Sequence, residues 1–206
     1  FQLSFSEDWM WATGDAPLLR WEQPQIMGKR KVMCINPSPA DYYDSGSLFF
    51  THMINTAKER CWIVSPYFVP DQNVYAALQL AGLRGVDVRI ILPGVSDNWM
   101  VAQANRSYVA SLQKAQVQFY TYEPGFLHQK VMLVDDEWSC VSSANLDNRS
   151  LRINFEIGAL IKDKEFADEI EAMMLDDLEH CRPTHVDQRW WKQLLARLLR
   201  LIAPVL

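Results

Sequence analysis

The sequence predicts an α/β fold, a mixed β-sheet flanked by helices on both faces, followed by an amphipathic C-terminal helix. Three observations predict it. Short apolar runs alternate with helical stretches of about 10–15 residues, the pattern of strands joined through helices. Pro and Gly punctuate those runs at Pro66, Gly82, Gly85 and Pro93. With 206 residues and 49% hydrophobic content, the chain can bury a core of single-domain size.

The elements follow in order from residue 31. Lys31–Asn36 reads as a strand, and 48–59 has helical spacing through Leu48, Phe49, His52, Met53 and Thr56. Residues 61–65 form an apolar strand stopped by Pro66. Asp71 can cap a helix reaching Leu83, which Gly82 and Gly85 help to end. Val86–Leu92 is a strand closed by Pro93. Asp97 or Asn98 opens a helix to about Lys114, and strands follow at 117–122, 130–135, 138–143 and 154–161. Lys164–His180 is amphipathic, with Phe166, Ile170, Met173, Met174 and Leu178 on one side and acids on the other, a solvated face.

The two ends differ from this body. Phe1–Gly14 is aromatic-rich and starts in mid-stream. With the Pro-containing connector 16–24 it reads as the end of something larger. Phe1–Trp11 includes Glu7 and Asp8 and lacks a basic start before an apolar core, so it is not expected to be a signal peptide. No run of about 18 apolar residues offers a membrane-spanning helix. From Arg189 to Leu206 there are four basic residues and no acid, although the whole chain has a net charge of −5. Trp191, Leu194, Leu195, Leu198, Leu201 and Ile202 follow helical spacing there. Trp190, Trp191, Lys192, Arg197 and Arg200 are thus candidate membrane-binding residues on anionic lipid, docking on protein being the other reading. The acidic balance argues against a dedicated nucleic-acid binder. Cys34, Cys61, Cys140 and Cys181 form no C-x-x-C pair and suit reduced thiols.

The chemistry concentrates between residues 126 and 156. His128 and Lys130, two apart on an extended segment, point to one side, and Ser143 and Asn145 are expected to do the same on the next strand. His128 can act as nucleophile or as acid/base, and Lys130 supplies fixed positive charge to a phosphate. Ser143 and Asn145 can donate hydrogen bonds to the same oxygens. Glu156 is the best candidate to hold the far nitrogen of His128. Asp135, at a strand end before Asp136 and Glu137, reads as fixing a turn or a salt bridge. His180, Cys181 and His185 match no standard zinc spacing, and no metal or cofactor is expected.

The string His128-x-Lys130-x4-Asp135-x6-Ser142-Ser143-x-Asn145 resembles the HKD signature of the phospholipase D superfamily. The longer string Leu127–Glu156, with Asn145–Ser150 and Asn154-Phe155-Glu156, and the segments Ser65–Pro70, Gly85–Pro93 and Tyr122–Phe126 are similar to the bacterial cardiolipin synthase family. The resemblance implies a phospholipase D-like half-domain over 31–182, with 1–30 the end of a preceding half plus connector and 183–206 a basic tail. It implies a metal-free, cofactor-free site built from two HKD motifs, reacting through a phosphohistidine. His128, in the second motif, would be the acid/base partner. Lys130 and Asn145 would bind phosphate, Ser143 would assist, Glu156 would orient His128, and Asp135 joins the catalytic set as a signature residue.

Family members of this type join two phosphatidylglycerol molecules and release glycerol. The implied partners are anionic phospholipid and either a missing N-terminal HKD half or a second copy, and the implied place is the cytoplasmic face of the bacterial inner membrane. Two departures stand out: Ser142 where the motif usually has Gly, and, the larger, a missing first half, since no second H-x-K occurs in the sequence. A single-motif homodimeric phosphodiesterase or nuclease, and an inactive lipid-binding half, are the alternatives.

Overall fold

The computed structural model describes residues 1–20, 25, 28–95 and 99–185. The chain opens with helix α1 (Gln2–Thr13), then strand β1 (Val32–Ile35), helix α2 (Ser45–Thr56), strands β2 (Arg60–Val64) and β3 (Phe68–Val69), helix α3 (Gln72–Leu83) and strand β4 (Asp87–Pro93). Helix α4 (Trp99–Gln113) and strands β5 (Gln118–Tyr122), β6 (Val131–Val134), β7 (Trp138–Ser142) and β8 (Leu146–Asp147) follow. The described part closes with α5 (Asn148–Arg152), β9 (Gly158–Lys162), α6 (Lys164–Glu179) and β10 (Cys181–Pro183).

Among the described residues, eight strands form one sheet in the order β1-β9-β7-β6-β2-β4-β5-β10, and β3 pairs with β8 separately. β2, β4 and β5 run parallel, whereas β6 returns antiparallel to β2 and β7, β9 and β1 continue antiparallel outward. The sheet is therefore mixed. β2 and β6 read as continuous apolar runs because both faces are covered.

Helices do cover both faces. On one side Cys61, Ile63, Val88, Ile90, Met132 and Val134 pack with Ile54, Leu78, Leu112 and Leu151 from α2 to α5. On the other, Trp62, Val64, Ile91, Val131 and Leu133 meet Ala167, Ile170 and Met174 of α6. The acidic face of α6 points to solvent, apart from ion pairs to Arg30 and Arg60.

The caps behave as the residue types require. Asp71 accepts the N–H of Val74 at 2.9 Å, and Asp163 accepts that of Phe166 at 2.9 Å.

Several boundaries move. The 154–161 strand begins only at Gly158, because Asn154 and Glu156 bond into a loop instead: Glu156 N–H donates to Pro37 O at 3.0 Å. The 138–143 strand stops at Ser142. α1 is a helix in a stretch for which no element was expected, and it touches the body through Trp11 on Phe155, with ring centroids 6.1 Å apart. The expected C-terminal amphipathic helix and the membrane-binding candidates Trp190, Trp191, Lys192, Arg197 and Arg200 lie outside the described residues. Among those described, no helix is long and apolar enough to cross a membrane.

Candidate active site

Antiparallel pairing of β6 with β2 brings the start of β6 to the carboxyl end of β2, since Val131 faces Val64. His128 and Lys130 lie just before β6, at that edge. Lys130 Nζ stands 3.3 Å from His128 Nδ1 and 3.4 Å from Nε2, and donates to His128 O at 2.9 Å. The two-residue spacing has thus placed both groups on one side. The Phe126 ring stacks on the imidazole, centroids 5.2 Å apart. Gln129 points the other way and donates to the carboxylate of Asp177 on α6. The H-x-K segment is therefore held on both sides, a tether that spacing alone did not reveal.

The serine motif is joined to this segment through the backbone. Ser142 N–H donates to Lys130 O at 3.1 Å, and the chain turns out of β7 there. Ser143 donates its hydroxyl to the Glu156 carboxylate and accepts the Ile157 N–H at 2.9 Å. Asn154 Nδ2 holds the other Glu156 oxygen at 3.0 Å. Asn145 Nδ2 donates to Ser150 Oγ at 3.3 Å, while its buried Oδ1 is unpaired. Ser65 fastens the turn from below, accepting Leu146 N–H at 3.1 Å and donating to Tyr67 O at 2.7 Å. The β3–β8 pair continues that attachment, so Ser65–Pro70 shapes the Ser142–Asn145 turn.

Charge is arranged around Lys130. Burial lowers its pKa from the usual lysine value, and the carboxylates of Glu156 and Asp147 act against that shift. Burial pushes the pKa of Asp147 up, against the helix-capping hydrogen bond it accepts from Ser150 N–H at 2.8 Å. A cation is thereby held partly out of water among acceptors, available to a phosphate oxygen.

Two sequence expectations need correction. Glu156 makes its hydrogen bonds to Ser143 and Asn154, not to His128, because the 154–157 loop bonds back onto the turn after β7. Ser143 and Asn145 do not face one spot from a strand; they lie beyond β7 in a turn, and each side chain bonds elsewhere. Asp135 sits at the opposite end of β6 from Lys130, about 17 Å away at strand rise. There it has φ +50° and accepts the backbone N–H groups of Lys58, Glu59 and Arg60 at 2.9–3.1 Å. Its carboxylate is occupied in seating β2, away from His128 and Lys130, which matches the turn-fixing reading of its position.

His180 and Cys181 close α6, bonding Asp176 O at 2.9 Å and Asp177 O at 3.1 Å.

Comparison with known proteins bears on the family and the fold. The family model described as "Cardiolipin synthase, PLD-like domain" matches residues 50–178. Cardiolipin synthase A of Pseudomonas putida strain F1 is 46% identical across 100% of this chain, and that of Pseudomonas fluorescens strain SBW25 is 47% identical over the same span. The chain spans 44% of the length of each. Among solved structures, Nuc of Salmonella typhimurium, a phospholipase D family member, superposes with a TM-score of 0.64 at 20% identity, covering 76% of this chain and 99% of that one. Phosphatidylserine synthase of Haemophilus influenzae Rd KW20 gives 0.68 at 16% identity, over 89% of this chain and 49% of that one. These structures share the fold. Taken with the family match, they show that the chain belongs to the cardiolipin synthase, phospholipase D-like domain family.

Proposed function

We propose that the chain supplies one HKD half of a phosphatidyltransferase that joins two phosphatidylglycerol molecules into cardiolipin and releases glycerol. The observation that carries this reading is Lys130 Nζ at 3.3–3.4 Å from both ring nitrogens of His128, at the sheet edge where the Ser142–Asn145 turn arrives. A diester phosphate at that edge meets a cation, an imidazole and amide donors together.

The second histidine comes from another HKD half or from a second copy of this chain. That histidine attacks the donor phosphorus, and the P–O bond to the glycerol group breaks. His128, in its protonated form, gives its proton to the departing alkoxide. Neutral His128 then takes the proton from the primary hydroxyl of the second phosphatidylglycerol, whose oxygen attacks the phosphohistidine and frees the first histidine. Lys130 holds the non-bridging oxygens throughout, and Asn145 turns its amide toward them. Ser143 and Glu156 hold the turn and balance the Lys130 charge, so Glu156 orients the site through the turn and not through His128. Phe126 fixes the plane of the imidazole.

The substrate surface is anionic lipid at the cytoplasmic face of the inner membrane, met by the basic segment 189–206. Incubating the protein with phosphatidylglycerol vesicles and assaying cardiolipin and glycerol tests the reading. One glycerol per cardiolipin, lost on His128→Ala, supports it. Metal-independent cleavage of DNA with inert lipid would replace it with a phosphodiesterase, and vesicle binding without turnover in the presence of a complementary half would leave a lipid-binding domain.

A further inference from the structure

Among the described residues, the buried side-chain atoms without a hydrogen-bond partner are Thr51 Oγ1, Ser139 Oγ and Asn145 Oδ1. The last of them belongs to the site. Buried polar atoms are nearly always paired, so an orphaned amide oxygen marks an orientation imposed by its surroundings. The backbone on either side of Asn145 is already pinned. Ser143 N–H donates to Ile157 O at 2.8 Å, Ala144 is buried, and Leu146 N–H donates to Ser65 Oγ at 3.1 Å. Only the side-chain torsions of Asn145 are left to set, and the outer torsion of an amide is broad and roughly two-fold. The group at its tip decides which end points where.

That group is Ser150, which is 1% exposed and must find its partners within the protein. Its Oγ accepts from Asn145 Nδ2 at 3.3 Å. Its hydroxyl proton goes to the carboxylate of Asp147, which also accepts the Ser150 N–H at 2.8 Å and the Arg149 N–H. An ionised carboxylate only accepts, and a hydroxyl has one proton to give. With that proton committed to Asp147, Ser150 offers Asn145 nothing but a lone pair. The amide meets it with nitrogen, and Oδ1 is left without a donor.

This orientation has a chemical consequence. With nitrogen toward Ser150, one amide N–H is used there and the second is left for a phosphate oxygen. In the reversed amide both N–H bonds would point into the buried place that Oδ1 now fills, closed to a ligand. Asp147 also lies within electrostatic reach of Lys130, so the Asp147–Ser150–Asn145 chain and the cation belong to one site.

We propose that Asp147 and Ser150 are positioning residues, which together hold the Asn145 amide with a nitrogen donor, and not its oxygen, available to the phosphate. The assignment rests on the reading of Asn145 as a phosphate ligand of the transferase. It gives the segment after the serine turn a role in the reaction beyond capping α5.

The test is a double-mutant cycle of Ser150→Ala with Asn145→Ala, assayed for cardiolipin from phosphatidylglycerol vesicles with the full chain, alone or with a complementary HKD half. Ser150→Ala should lower kcat by about tenfold with KM within about twofold, and should have no further effect once Asn145 is alanine. Asp147→Asn retains a good helix-capping residue, but its amide can donate to Ser150 and release the hydroxyl proton toward Asn145. It should also lower kcat, and Ser150→Ala leaves the charge near Lys130 intact, so the two variants separate orientation from charge. Equal losses from Ser150→Ala with and without Asn145, or an unchanged kcat, overturn the proposal.

The side-chain amide resonances of Asn145 in the ¹⁵N-labelled chain read the orientation without turnover. Both variants should shift them at a melting temperature near the parent's, and inorganic phosphate should perturb them in the parent more than in either variant. Unmoved Asn145 resonances overturn the proposal even if kcat falls. Absence of cardiolipin from the parent strikes the transferase reading, whereas these resonances still decide whether Ser150 and Asp147 orient the amide.

Discussion

Gly158 faces Ser142 across the β7–β9 ladder so closely that a Cβ at 158 would stand 3.0 Å from the Cβ of Ser142. Cross-strand Cβ pairs ordinarily sit about 4.5–5.5 Å apart. The side chain at 142 is thus accommodated by a glycine opposite. Ser142 itself keeps its ladder bond to Lys130 O at 3.1 Å, so the departure leaves the H-x-K segment in place.

Gly158→Ala should therefore lower stability by about 1–3 kcal/mol, the usual cost of overpacking. Ser142→Gly in the same chain should recover most of it. Urea unfolding of the four proteins of this cycle checks the coupling. Additive effects would show that the two positions do not compete for space.

Asp135 should matter for folding and not for chemistry. Its carboxylate accepts three consecutive backbone N–H groups where β2 begins, and beside it Arg60 bonds Asp136 and Glu171. Asp135→Ala should cost roughly 2–3 kcal/mol, from unpaired donors and an alanine held at positive φ. Turnover per folded molecule should stay within about twofold of the parent. A loss of 100-fold or more at full folding would return Asp135 to the reaction.

Lys130 carries a cost to stability. Burial lowers its pKa below the usual value of 10.5, so the folded state holds the proton less tightly than the unfolded chain. The unfolded chain then binds more protons between the two values, and stability from this group rises with pH through that window. Lys130→Met should melt a few degrees higher than the parent at pH 7, the gap narrowing as pH approaches about 10. Its turnover should drop by about 100-fold or more. A lower melting temperature at pH 7 would show that the bond to His128 O outweighs the burial.

Thiol reactivity offers a check on the packing. Cys61 and Cys140 are buried within the sheet, and burial pushes both pKa values up to about 12. Cys181 is raised to about 11 for the same reason. At pH 8 a thiol reagent should modify Cys34 first, Cys181 slowly, and the other two only on unfolding. Rapid native-state labelling of Cys140 would contradict the β6–β7–β9 arrangement.

Much of the sheet was legible in the sequence because β2, β4, β5, β6 and β7 are short apolar runs bounded by Pro or polar turns. Asp71 and Lys164–Glu179 were legible for equally local reasons, a cap and a clear apolar stripe. β3 and β8 were not. Each is two residues long, and they pair across a separation of 78 positions through Phe68 and Leu146. β10 was hidden by Pro183, which an edge strand tolerates but which reads as a terminator.

In the site, parity correctly joined His128 with Lys130, a purely local relation. The partner of Glu156 was misread, because it depends on where the 154–157 loop folds back. No pattern in the sequence marks that Ser143, and not His128, will reach its carboxylate. Gln129–Asp177 escaped for the same reason, its two ends lying 48 residues apart.

The most direct measurement of the central claim is cardiolipin and glycerol release from phosphatidylglycerol vesicles, made with the full chain as its own pair or together with a complementary HKD half. Parent protein should give one glycerol per cardiolipin, and His128→Ala should reduce both by at least about 1,000-fold while leaving the melting temperature near that of the parent. Undiminished product formation by His128→Ala would contradict the account.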